Sequence, residues 1–166
     1  MKPEAQKLQR VLVAVDFSAE SRQAVRTARS LVSAMGGSLT VAHVRPFSDV
    51  RAAVSEDRGD LLKKKTPGLR RAMADHYRER LSGMVQEGEE RSVLLRGKPA
   101  LALCQEAGEN HDLLVMGSRG RGGVASMLLG STVQEVLTLS KVPVLVIPVR
   151  ATRGGSRGKA GSKGRP

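Results

Sequence analysis

The chain alternates short apolar runs with stretches of helical spacing, and this alternation limits the architectures open to it. "VLVAV" at 11–15 is a continuous apolar run rich in β-branched residues, the mark of a strand buried on both faces. Ser18 can cap a helix whose apolar positions, Ala24, Val25, Ala28, Leu31, Val32 and Met35, recur at helical spacing until Gly36 and Gly37 stop it. A second strand is predicted at 39–44. Residues 45–65 show no clear period and read as a long charged connection. Thr66 and Pro67 read as a helix start, with Leu69, Met73, Tyr77, Leu81 and Met84 on one face and Gly88 as its end. A short strand at 93–95, a helix around 101–107, the strand in "HDLLVMG", a helix from about 132 to 139 and the strand in "KVPVLVIP" complete the series. Strand–helix alternation of this kind predicts an α/β fold, an open parallel sheet with helices on both faces. In such sheets ligands sit beyond the carboxyl ends of the strands, where the strand order reverses. The residues at that edge are Asp16, Val44, Gly97 and Gly117.

At 166 residues the chain reads as one folded domain over 1–149, followed by a basic Gly/Ser-rich tail at 150–166 that is expected to be disordered. The tail carries six basic residues and no acid, half of the net charge of +12. Cys104 stands alone, so no internal disulfide is available, and it reads as a small buried apolar residue. The start lacks an export signal, and no apolar run approaches the ~20 residues of a membrane span. A cytoplasmic protein is expected.

"VMGSRGRGGVASMLLGSTVQEV" at 115–136 carries the chemistry. A Walker-type loop is absent, and the dinucleotide-like match in "GRGGVA" follows the wrong strand, without an acidic residue placed for a ribose. The spacing Gly117, two residues, Gly120, nine residues, Gly130, Ser131 has a physical reading of its own. Glycines let backbone N–H groups approach a phosphate, and Gly130-Ser131 heads a helix whose N-terminus favours an anion. Arg119 and Arg121 add positive charge. A capping box, Ser131 with Gln134 or Thr132 with Glu135, accounts equally well for the hydroxyls. On the residues alone both readings stay open.

With these residues in view, the sequence resembles the universal stress protein family, in particular its ATP-binding branch. Gly117, Gly120, Gly130 and Ser131 match the family motif G-x2-G-x9-G-[ST], and "VAVDFS", "VAHV" and "GSTVQEVLTLSKVPVLVIP" look like family strands and the last helix. The resemblance covers roughly residues 8–149. It implies a five-stranded parallel, Rossmann-like sheet in the order 3-2-1-4-5 that binds an adenine nucleotide. Ala14, Val15 and Asp16 would then meet adenine and ribose, and Val44 would contact adenine through its backbone. Met116, Gly117, Arg119 and Gly120 would line the phosphates from one side; Gly130, Ser131, Thr132 and Val133 would close them from the other. The resemblance also implies ATP as a regulatory ligand in a stress response, and a homodimer joined through the last strand, from Val142 to Ile147.

An enzyme would need a placed base or a metal site. His43, His76 and His111 lie apart without ligand spacing, so His43 reads as structural and His76 as exposed. Asp16 is the one carboxylate expected near the ligand, through ribose or the Mg²⁺ of a Mg-nucleotide. At most slow ATP hydrolysis is expected. The alternative is a nucleic-acid-associated or scaffold protein that uses the basic tail electrostatically. With only Phe17, Phe47 and Tyr77 as aromatics, the chain offers little base stacking, and such contact would be weak.

Overall fold

The computed structural model describes residues 8–45, 59–86, 88–119 and 129–148, and of 59–66 the backbone alone. The elements follow in strict alternation: β1 Arg10–Ala14, α1 Ala19–Met35, β2 Ser38–Arg45, α2 Gly59–Ser82, β3 Glu90–Arg96, α3 Pro99–Asn110, β4 Leu113–Gly117, α4 Ser131–Leu139 and β5 Val144–Ile147. All four pairings are parallel, and the order is β3-β2-β1-β4-β5. Because β1 and β4 are central and covered on both faces, their residues alternate between two buried environments instead of between core and solvent. Val11, Leu12 and Val13 are all fully buried, which is why the sequence shows an unbroken apolar run there.

Two cores result, one on each face. Val11, Val13, Val15, Val41 and Val115 pack under α1 and α2. Leu12, Ala42, Val44, Leu114 and Met116 pack under α3 and α4, with Cys104 beside Val136. Burial raises the Cys104 thiol above its ordinary pKa, as fits a packing residue. Gly37 marks a close approach between elements. A Cβ there would fall 2.3 Å from the Gln9 carbonyl oxygen, which accepts from Ser38 N–H at 2.7 Å. Arg29 on α1 reaches across to Glu90 at the start of β3, at 2.6 and 2.9 Å, and also donates to the Met84 carbonyl. Burial is the largest single influence and works to raise the Glu90 pKa, but the Arg29 hydrogen bonds, the Gln86 N–H and the Arg29 charge together hold the carboxyl below its ordinary value.

Three expectations need correction. Helix α2 begins at Gly59 rather than at Thr66, and runs through Pro67. Residues 61–65, "LLKKK", are strong helix formers without an apolar face, so propensity carries the helix where periodicity gives no sign. It also ends at Ser82, ahead of Gly88. Strand β3 extends from Glu90 to Arg96, well beyond its short apolar centre, because an edge strand tolerates polar ends. The tail at 150–166 lies outside the described residues, as do Gly120, Arg121, Gly122 and Gly123.

Candidate functional site

At the carboxyl end of β1 the chain turns sharply into α1. Val15 N–H donates to the Ala42 carbonyl at 2.8 Å, extending the ladder by one residue. Phe17 then adopts φ 65°, a left-handed conformation that costs a side-chain-bearing residue about 1–2 kcal/mol. The turn is held from both sides. Asp16 Oδ1 accepts from Ser18 N–H at 3.1 Å and from Ser18 Oγ at 2.5 Å. Ser18 Oγ in turn accepts from Ser21 N–H at 3.1 Å and so caps α1. The Phe17 ring lies 4.5 Å from His43, with the Arg80 guanidinium 4.0 Å above it. His43 Nδ1 donates to the Val15 carbonyl at 2.7 Å. A carbonyl only accepts, so Nδ1 carries the proton, and the imidazole is a strut for the turn.

The second side is built where β4 ends. Gly117 pairs with Ile147, and Ser118 N–H donates to the Ile147 carbonyl at 2.8 Å. The chain returns to this point after the glycine segment, with Gly130 N–H donating to the Ser118 carbonyl at 2.9 Å. Helix α4 starts immediately. A Cβ on Gly117 would stand 3.4 Å from both the Arg119 carbonyl oxygen and Glu20 Cβ, so this position is closely walled by α1. A Cβ on Gly130 would meet nothing nearer than 3.7 Å. A Cβ at 117 would thus make full contact with its surroundings, with less space beyond it than at 130.

The two helix starts differ. Ser18 caps α1 with its hydroxyl, whereas the N-cap of α4 is Gly130, which has no side chain to offer. The capping box expected from Ser131 or Thr132 does not form, because the helix begins one residue earlier and both fall inside its first turn. Among the described residues no hydrogen bond is made by the N–H groups of Ser131, Thr132 and Val133. Three donors and the positive end of the helix dipole thus face the edge of the sheet beside Gly117 and Arg119.

The expected site residues fall into one neighbourhood. Ala14 closes β1, and Val15 and Asp16 follow it; Val44 lies next to last in β2; Met116 and Gly117 close β4, with Arg119 two residues on; Gly130, Ser131, Thr132 and Val133 open α4. All sit at the carboxyl edge around β1 and β4, the pair at which the strand order reverses. Val15, Val44, Met116 and Val133 have buried side chains, which leaves their backbone as the part able to meet a ligand. Gly120 lies outside the described residues. The Asp16–Ser18 bond was not foreseen, although the Asx-turn sequence "DFS" signals it; His43 was read as structural, but its partners Val15 and Phe17 had no sign in the sequence. Among the described residues no cluster of three or more His, Cys, Asp or Glu could hold a metal ion, and no helix is long and apolar enough to cross a membrane.

Comparison with known proteins agrees with this geometry. The family model described as "Universal stress protein family" matches residues 7–148. A universal stress protein of Thermus aquaticus is 33% identical over 139 residues, covering 82% of this chain and 96% of that one. One from Mycobacterium tuberculosis is 36% identical over 144 residues, 82% of this chain but 44% of its own, so the chain spans less than half of that relative. Among solved structures, a hypothetical protein studied for structure-based assignment of its biochemical function superposes with a TM-score of 0.74 at 19% identity, covering 88% of this chain and 99% of its own. A universal stress protein in complex with cAMP gives 0.52 at 26% identity, over 84% and 95%. With Gly117 and Gly130 at the reversal point and the family match running over residues 7–148, the chain belongs to the universal stress protein family.

Proposed function

We propose that this chain is a member of the ATP-binding branch, in which the nucleotide, taken up with Mg²⁺, is a regulatory ligand of a stress response and turns over slowly if at all. One observation carries the reading: α4 opens on an uncapped glycine whose neighbouring N–H groups face the β1–β4 edge beside Gly117. A polyphosphate placed there would satisfy those donors and lie against the positive end of the helix. Adenine would lie against the backbone of Ala14, Val15 and Val44. Asp16 would serve ribose or Mg²⁺ through its carboxylate, which the Ser18 turn holds at the end of β1. Arg119 and Gly120 would flank the phosphates opposite Gly130, Ser131, Thr132 and Val133. The cAMP complex of the structural neighbour supports a nucleotide as the class of ligand.

The same reading includes a homodimer through the last strand, since β5 ends the sheet as an edge of four residues. It also includes a two-part chain, a nucleotide-binding domain at 1–149 and a basic tail at 150–166. Nucleic-acid contact by that tail is the alternative function, and it would be lost on its removal and on raising salt.

The test is nucleotide content. Protein purified from cells is denatured and the supernatant chromatographed, with Gly117→Val and Ser131→Asp in parallel. Ser131 is exposed at the first turn of α4, where an acid favours the helix and repels a phosphate. The expected result is ATP or ADP in the parent and none in Ser131→Asp, at unchanged or raised Tm. An empty parent that also shows no calorimetric response to ATP would remove the nucleotide from the account.

A further inference from the structure

On the other face of the same edge lies a recess of about 420 Å³ lined by five arginines: Arg45 from β2, Arg96 from β3, and Arg70, Arg71 and Arg78 from α2, with Leu94 in its floor. Its volume is in the range of small-molecule sites, roughly 300–1,000 Å³. Among the described residues no acidic side chain lines it. Among these arginines the one ion pair is Arg78 with Asp75, at 2.9 Å and with both side chains more than half exposed. Gathering this many cations on three elements carries a repulsion that, among the described residues, no acidic side chain in the lining relieves.

Arg45 is the deepest member. It is 4% exposed, and its Nη1 donates to the Arg70 carbonyl at 2.9 Å, which ties β2 to α2. The Arg45 side chain forms part of the lining, and the Arg70 carbonyl takes one of its nitrogens. A guanidinium is thus fixed at the bottom, with others around the rim. Planar guanidinium groups match phosphoryl oxygens bidentately, and arginines from three elements can engage more than one phosphoryl group at once. Among the described residues no aromatic side chain lines the recess to stack on a nucleobase.

The alternation of β2 separates this recess from the nucleotide site. Val44 packs under α3 and α4, so its neighbour Arg45 faces α2. The N-terminus of α4 is on the Val44 side. We propose that the arginine recess is a second ligand site, taking a small anion with two or more phosphoryl groups, and that it fills independently of the nucleotide.

The experiment is calorimetric titration of the full chain with inorganic tripolyphosphate and, separately, orthophosphate. It is repeated on Arg71→Glu/Arg96→Glu, two exposed positions whose change leaves the core intact, on Ser131→Asp, and on a chain ending at residue 149. Tripolyphosphate is expected to bind at least tenfold more tightly than orthophosphate. The double variant is expected to lose at least tenfold at unchanged Tm, while Ser131→Asp and the shortened chain retain this binding. Loss in Ser131→Asp or in the shortened chain, with the arginine variant unaffected, would overturn the proposal by assigning the anion to α4 or to the tail. So would the absence of binding, equal affinity for both phosphates, or tighter arginine-dependent binding of a single-stranded oligonucleotide. Because the readout depends on Arg71 and Arg96, its failure leaves the nucleotide proposal standing, and failure of the latter leaves this one.

Discussion

Phe17 sits in a conformation that ordinarily belongs to glycine, yet it is 4% exposed and packed between His43 and Arg80. Ring burial outweighs backbone strain at this position. Deleting the ring to alanine is expected to cost about 3–5 kcal/mol. Phe17→Gly should cost about 1 kcal/mol less than Phe17→Ala, because only alanine keeps the left-handed penalty. Urea unfolding of the pair checks this, and the usual order, with glycine worse, would contradict it. At the opposite end of the sheet, Asp112 accepts from Arg10 Nη2 at 2.6 Å and from the backbone N–H groups of Arg10 and Gln9. The Arg10 hydrogen bond, chiefly, holds its pKa at about 2. A carboxyl depressed in the folded state adds stability above its unfolded pKa of about 3.9, and that stability fades as pH falls toward 2. Asp112→Asn is therefore expected to flatten the stability profile between about pH 4 and pH 2, measured by thermal melts across that window. Asp16 and Gly117 were legible as site residues because strand ends and a motif mark them. The left-handed Phe17 and the Asp112 clamp were not, since each depends on a partner far away in sequence.

At the scale of elements, the contrast between α1 and α4 sets up a trade between stability and binding. Gly130 has room for a side chain, so Gly130→Ser should cap α4 and raise stability by a few tenths of a kcal/mol. The new hydroxyl would occupy a donor that the proposed phosphate needs. Nucleotide affinity should fall by at least threefold while Cm in urea stays level or rises; affinity that rises with stability would argue against the anion cradle. The strands of the centre were readable because burial on both faces writes itself as an apolar run. The start of α2 was not readable, because its first turns carry lysines and no stripe. Pro67, which resembles a helix start, lies inside the helix. The N-terminus of α4 was read one residue late for a related reason. Ser and Thr are better caps than glycine by propensity, and here glycine holds the position.

For the whole molecule, the alternation alone gave the parallel α/β class, but the order of strands came through the resemblance to a family. Periodicity carries no information on which strand lies beside which. The order places β5 at an edge, with Val144, Leu145 and Val146 only half-buried and Leu137 and Leu139 exposed at 48% and 40% on the adjoining helix. A homodimer joined there is expected to give twice the chain mass of 17.7 kDa by light scattering. Val144→Lys, which charges the edge, should shift it toward the single mass. A single mass for the parent at micromolar concentration would remove the dimer.

The reversal of strand order also divides the sheet by origin. Strands β1, β2 and β3 come from the first 96 residues, and β4 and β5 from residues 113–147. As the chain is synthesised, three strands are available to pair before the other two exist, and the β1–β4 junction joins the later pair to the earlier three. Its closure joins segments about a hundred residues apart, as the Arg10–Asp112 bond does. A nucleotide spanning β1 and the start of α4 would bridge that seam. Its presence would be felt as slower parting of the two halves, and so as a longer lifetime of the protein against proteolysis.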